Sequence, residues 1–333
     1  MSGYKARYKI TPQMKEYDRI GTEWLPYLMY FHTKNFSSSV LNTDSRGFRL
    51  TYKNENKIDV FSKSNNAPVS LLVGGSFAFG VGATGDRKTI ASILNSSGEE
   101  TWFNFAGRAF SSTQEFLAFL FYYKKIKRIK KVVLLSGINN LILYYLSGKY
   151  NKELGSFFFS SKYDKVMTDA MTSRKRKLFN ALISPFVKKP KLSVFAEEKE
   201  ASRDDVFVVL KRDIESWKLI CESLGIEFTY VLQPFASWID KKLSEEEKEL
   251  FAELDKKSQS HWKVLRYGMG SEKYGWYRDG ISNICNASGV KFFDMNEAIS
   301  KMKLDGKWLY VDRAHFTDEG NRIVAEIFKK EIL

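Results

Sequence analysis

Cysteine and histidine are the scarce residues of this chain. Two cysteines in 333 residues, Cys221 and Cys285, build no disulfide framework and no CxxC metal pattern. Each sits among apolar residues in a helix-like stretch and reads as a buried free thiol in a reducing compartment. No metal and no cofactor is expected. No run approaches the ~18–20 apolar residues of a membrane span. The aromatic stretch TEWLPYLMYF (Thr22 to Phe31) is too short to cross and is expected to pack on the domain. The N-terminal MSGYKARYKITPQMKEYDR has no apolar signal core, so a cytoplasmic location is expected. Internal repeats are lacking too. Acidic residues fall short of basic ones, 39 against 53, leaving a net charge of +14. That excess suits an anionic ligand or surface without choosing among them, and a basic solvated surface explains it equally well. What is abundant is apolar: 44% hydrophobic and 15% aromatic residues exclude a disordered chain.

A β/α alternation begins near Val69. VSLLVGG, TWFNFAG, KVVLLSGINN, IEFTYVLQP and VKFFDM read as strands, the third nearly all apolar, as a parallel strand buried on both faces should be. Between and after them lie helical segments. KTIASILNSS is one. SSTQEFLAFLFYYKKIKRIKK is capped by Ser112 or Thr113 and ends in cations. DDVFVVLKRDIESWKLICESLG stops at Gly225. SEEEKELFAELDKKSQSHW, SEKYGWYRDGISNICNAS and TDEGNRIVAEIFKKEI follow, the last capped by Thr317 or Asp318. Strands alternating with helices predict a parallel sheet with helices on both faces. Residues 1–68 lack the rhythm and read as an N-terminal extension packed on a main domain of residues 69–333. Residues 146–202, with the basic runs SRKRKLF and VKKPKLS, read as a helical and loop insertion.

The stretch GGSFAFGVGATGDRKT is the richest in chemistry. Gly80 to Gly85 match G-x-G-x-x-G, but Gly80 comes several residues after the strand ends, where a dinucleotide turn needs its first glycine at once. The phosphate loop G-x-x-x-x-G-K-[ST] fails because Asp86 and Arg87 follow Gly85. The third reading centres on Ser76. Gly74 and Gly75 permit a sharp turn at the end of a strand, exposing the serine, although Ala78 breaks the G-x-S-x-G elbow. Gly80, Gly82 and Gly85 then become a flexible loop beside the site. A serine nucleophile needs a base, an orienting acid and oxyanion donors. The chain offers three histidines. His32 lies in the unpatterned N-terminal region, and His261, beside Trp262, reads as a surface or packing residue. His315 lies in YVDRAHFTDEGN, three residues after Asp312, so one short loop can present the carboxylate to Nδ1 while Nε2 faces Ser76. A pair that only caps the last helix is the alternative. Oxyanion donors are expected from neighbouring strand ends: the Gly107 N–H, the Asn139 side-chain amide and the Ser76 N–H.

The ordered set VGGSFAFG, NFAGRAF, SGINN and VDRAHFTDEGN resembles the four blocks of the SGNH (GDSL-like) hydrolase superfamily. The resemblance runs from about Val69 to the C-terminus, outside the insertion. It implies a three-layer α/β/α sandwich with a flavodoxin-like parallel five-stranded sheet. It implies Ser76 as nucleophile, His315 as base, Asp312 as its orienter, and Gly107 and Asn139 completing an oxyanion hole. One position departs: the usual first block is Gly-Asp-Ser, and Gly75 stands where that aspartate would be.

The resemblance further implies ester hydrolysis through an acyl-serine. The expected substrate is a short-chain (O-acetyl) ester on a carbohydrate, with Tyr144, Gln233 and Trp238 as substrate-binding residues. Tyr145, Trp276 and Tyr277 join them as aromatics near strand ends, and core or lid packing explains any of these rings equally well. Two alternatives stay open: an O-acyltransferase to a sugar with the same triad, and a non-catalytic glycan- or nucleic-acid-binding module. Nucleic acid is not the expected partner.

Overall fold

A computed structural model describes residues 5–61, 67–96, 100–146, 152–171, 202, 204–257 and 260–333. The basic runs SRKRKLF (173–179) and VKKPKLS (187–193) lie outside the described residues. Two N-terminal helices, Lys5–Ile10 and Met14–Arg19, precede two hairpins: β1 (Thr22–Leu25) with β2 (Met29–His32), and β3 (Thr51–Lys53) with β4 (Asn56–Ile58). The sheet strands follow as β5 (Val69–Gly74), β6 (Thr101–Ala106), β7 (Ile129–Ser136), β8 (Glu227–Leu232) and β9 (Lys291–Asp294). They form one five-stranded parallel sheet in the order β6-β5-β7-β8-β9. This is the flavodoxin-like order, whose direction reverses between β5 and β7. Open α/β sheets bind ligands at that reversal, beyond the carboxyl ends of the strands.

Strand alternation splits the apolar residues into two cores. Leu71, Val73, Phe105, Val132 and Leu134 face one layer, with Phe119, Leu141, Trp217 and Ile281 from helices Ser112–Tyr122, Ile138–Leu146, Asp205–Ser223 and Ser271–Ala287. Leu72, Val133, Leu135 and Val231 face the other, with Ile90, Leu250, Ile299 and Val324 from helices Ile90–Leu94, Glu245–Asp255, Met295–Ser300 and Asp318–Ile327. The architecture is therefore a three-layer α/β/α sandwich. Both cysteines are buried and free, and burial pushes each thiol up to about 12. Among the described residues no helix is long and apolar enough to cross a membrane.

Two local expectations are corrected. The helix after β6 is capped by Ser111, not Ser112 or Thr113: its hydroxyl accepts from the Gln114 N–H, and the Gln114 side chain accepts from the Ser111 N–H in return. That helix also ends at Tyr122 rather than running through the cations, because Ile129 to Lys131 are drawn into β7 by pairing with β5.

Candidate active site

β5 ends against its neighbour. A Cβ on Gly74 would sit 2.2 Å from the Leu135 carbonyl oxygen, so only glycine lets the strand end turn there. Gly75 then opens the short helix Ser76–Phe79, with Ser76 at its head. The carbonyls at the far end of this turn are held from two sides. The Asn104 amide donates to Ala78 and Phe79 carbonyls at 3.1 Å, and Arg49 Nη1 donates to Phe79 at 3.1 Å and Gly80 at 2.8 Å. Arg49 is fully buried and forms an ion pair with Asp86 at 2.8 Å. The glycine-rich loop that follows is pinned, contrary to the flexible loop expected. Gln13 donates to the Gly82 carbonyl at 2.9 Å, the Tyr17 hydroxyl lies 2.8 Å from the Ala83 carbonyl, and the Thr84 N–H donates to Asp318 at 2.8 Å.

Across from Ser76 stands the loop before the last helix. His315 Nε2 lies 2.7 Å from Ser76 Oγ, and His315 Nδ1 lies 2.8 and 2.9 Å from the two Asp312 oxygens. An ionised carboxylate only accepts, so Nδ1 carries the proton and Nε2 is left to accept from the serine hydroxyl. Asp312 is 1% exposed and also accepts the Ala314 and His315 backbone N–H groups at 2.9 and 3.0 Å. Burial pushes its carboxyl up, but the His315 ring, the Arg7 charge and the Ala314 amide outweigh it and hold the group below the usual carboxylate range. The loop is closed by a bridge between Tyr310 and Phe316 and by the Val311 N–H donating to the His315 carbonyl at 2.9 Å. Arg313 pairs with Asp255 at 2.8 Å, turning its side chain away from the site.

The oxyanion side differs from expectation. The Gly107 N–H donates to the Gly74 carbonyl at 3.0 Å, continuing the ladder, so it is already spent. The next amide, of Arg108, donates to His32 Nε2 at 2.9 Å. The one after it, of Ala109, has no acceptor among the described residues, and Ala109 lines the same cavity as Ser76, Asn139 and His315. Ala109 has φ +57°, a left-handed conformation that costs a side-chain-bearing residue about 1–2 kcal/mol. The Asn139 amide nitrogen donates to the Phe110 carbonyl at 2.8 Å, which leaves its second hydrogen for another acceptor. It also occupies the space beside Gly75: a Cβ there would lie 2.6 Å from Asn139 Nδ2. A side chain at residue 75 would therefore have to displace the Asn139 amide.

The cavity over these residues measures about 480 Å³ and takes in Tyr17, Tyr30, Phe158, Phe159, Trp262 and Leu265. A larger groove of about 780 Å³ runs beside β9 between Arg278 and Lys330, away from Ser76. Tyr144, Gln233 and Trp238 do not line the cavity. Trp238 is 4% exposed, donates to the Met269 carbonyl and packs on Phe235 and Tyr277. Gln233 is buried, its backbone bonded to Ser136 and Asn296. Tyr144 packs beside Tyr145 against the core. The Tyr277 hydroxyl supports the Gly137 carbonyl at 2.6 Å, and the Trp276 indole faces Asp204. Sequence reasoning missed Tyr17, Tyr30, His32 and Arg49, all from the segment without periodicity. An arginine set between Phe48 and Leu50 was the only signal.

No family model matches the chain, and no curated protein matches it in sequence. Solved structures resemble it at low identity. A GDSL-like lipase from Bacteroides thetaiotaomicron shares 12% identity over 82% of this chain and 90% of that one, with a TM-score of 0.42. A lipase/acylhydrolase from Enterococcus faecalis shares 10% over 79% and 95%, with a TM-score of 0.40. An acetylxylan esterase from Geobacillus stearothermophilus shares 12% over 81% and 96%, with a TM-score of 0.40. Likeness of this degree says nothing of activity, for which the geometry of the site is the basis.

Proposed function

We propose that this protein is a serine ester hydrolase of the SGNH kind. The observation that carries the reading is the unbroken chain from Ser76 Oγ to His315 Nε2 at 2.7 Å and from His315 Nδ1 to the buried Asp312 carboxylate at 2.8 Å. In this reading His315 takes the Ser76 proton as Oγ attacks the acyl carbon. It then gives that proton to the departing alcohol, leaving an acyl-serine. Water, deprotonated by His315, attacks the acyl carbon and releases the acid, and His315 returns its proton to Ser76. Asp312 holds the tautomer and offsets the imidazolium charge without taking the proton. The oxyanion donors are the second Asn139 hydrogen, the Ala109 N–H and the Ser76 N–H, with Ala109 replacing Gly107 in that role.

The substrate in this reading is a short-chain, O-acetyl-type ester on a carbohydrate. The Trp262 side chain in the cavity lining and the +14 net charge support a sugar, including an acidic one. Residues 69–333 would carry the triad and oxyanion donors, with 1–68 as an extension that completes the cavity. Two buried free cysteines suit a cytoplasmic setting. The test is p-nitrophenyl acetate turnover and fluorophosphonate labelling of the wild type and of Ser76→Ala. Turnover and label are expected in the wild type alone; a wild type that neither labels nor hydrolyses any short-chain ester sinks the reading.

A further inference from the structure

We propose that His32 and Tyr30 are positioning residues that hold the loop Gly107 to Phe110 so that the Ala109 N–H faces the reacting carbonyl. The inference rests on the ester-hydrolase reading. Both residues come from β2, in a segment that carries none of the triad or oxyanion groups. His32 is 3% exposed. Its Nε2 lies 2.9 Å from the Arg108 backbone nitrogen, which can only donate, so Nε2 must be the bare nitrogen. Nδ1 therefore carries the proton and donates to the Gly47 carbonyl at 2.8 Å. Both ring nitrogens are thus committed with the imidazole neutral, and a protonated ring would lose the Arg108 amide. The ring is also packed between Phe31 at 4.5 Å and Phe79 at 4.4 Å, tilted by 33° and 45°, and Phe79 ends the helix that Ser76 begins. His32 thereby spans the nucleophile turn and the oxyanion loop.

Tyr30 acts on the peptide after Ala109: its hydroxyl donates to the Ala109 carbonyl. The Arg108 side chain adds a third tether, donating to the Tyr17 carbonyl at 2.6 Å and the Ile20 carbonyl at 3.2 Å. The His32 and Tyr30 bonds thus hold the Gly107–Arg108 and Ala109–Phe110 peptides, before and after the peptide that carries the Ala109 N–H, and the guanidinium bonds anchor the Arg108 side chain next to the left-handed Ala109. Alanine does not hold that conformation by itself, so the aim of its N–H depends on the neighbours that clamp it.

The experiment measures kcat and KM for p-nitrophenyl acetate in the wild type, His32→Leu, His32→Gln and Tyr30→Phe, with thermal midpoints alongside. Losing one oriented oxyanion donor lowers kcat by about 10²-fold while KM stays within about two-fold, because the oxyanion exists only in the transition state. His32→Leu is expected to show that split. His32→Gln is expected to recover most of the rate, since its amide oxygen can accept from Arg108. Tyr30→Phe, which removes one oxygen and keeps the ring, is expected to lose about 10-fold in kcat and serves if His32→Leu does not fold. A wild-type kcat in His32→Leu and Tyr30→Phe, or equal losses in His32→Leu and His32→Gln that follow the thermal midpoint, overturns the proposal. An active wild type with unchanged variants removes only this proposal, whereas an inactive, unlabelled wild type removes the hydrolase reading and this proposal with it.

Discussion

Gly75→Ala is the most economical challenge to the site. The backbone at residue 75, φ −83° and ψ −155°, is extended and makes no special demand for glycine. The cost of a side chain is therefore one of contact. An added Cβ would lie 2.6 Å from Asn139 Nδ2, against the 3.4 Å at which ordinary contact begins, so the amide must retreat by roughly 0.8 Å. Asn139 is not loose: it donates to Phe110 at 2.8 Å and stands in the first turn of helix Ile138–Leu146. A retreat of that size breaks the Phe110 bond or takes the second hydrogen out of reach of the oxyanion. Removing one such donor costs about 10²–10³ in kcat, or about 2.7–4 kcal/mol. The assay is kcat and KM on p-nitrophenyl acetate for Gly75→Ala, Asn139→Ala and the double variant. Gly75→Ala is expected to lose about 10²-fold in kcat with KM nearly unchanged, and the double variant to match Asn139→Ala, since both remove the same donor. Gly75→Asp, the usual residue of the resembled family, is expected to lose at least as much. A Gly75→Ala enzyme at wild-type rate, or losses that multiply in the double variant, would refute the reasoning.

Three further outcomes are expected. Asp312→Asn should lower kcat by up to about 10⁴-fold, because the His315 tautomer is no longer enforced; an unchanged rate takes Asp312 out of the mechanism. Its carboxyl is held below the usual range, so the stability it contributes is present above the ordinary carboxylate pKa and lost as pH falls through its lower folded value. Arg49→Met leaves the Asp86 carboxylate buried without its cation, with only the Asn42 amides to bond it, and should cost about 3–5 kcal/mol in urea unfolding, a loss under about 1 kcal/mol contradicting the assignment. Burial, and after it the Arg108 charge, pushes the His32 imidazole down to about 3. The unfolded chain thus binds a proton below the ordinary 6.5 that the fold refuses, and stability should fall by up to about 1.4 kcal/mol per pH unit on acidification through that window. Unfolding profiles from pH 7 to 4.5 that run parallel for wild type and His32→Gln would exclude this.

Much of the fold was written in local pattern. The apolar run of β7 and the alternating helices announced a parallel sheet, and the observed order β6-β5-β7-β8-β9 is the flavodoxin-like one expected. The turn glycines before Ser76 and the three-residue spacing of Asp312 and His315 were equally legible, since each is set within a few residues of chain. Other features were not. Gly107 was read as a donor because it is a glycine after a strand, yet its N–H belongs to the ladder with Gly74, and the amide left over is that of Ala109. Trp238 looked like a sugar platform from its position, but its indole is satisfied inside the core. Arg49, His32 and Tyr30 act through hydrogen bonds to backbone atoms 30 or more residues away, which leave no periodic trace. The sequence alone determined the layered sheet and the short spacings that set Ser76 after its turn glycines and Asp312 three residues before His315, because strand alternation, turn glycines and short loops are local. Only the tertiary structure decided that the Gly107 amide is bonded to Gly74 while the Ala109 amide has no acceptor among the described residues, because a peptide's partner is set by whatever distant group reaches it.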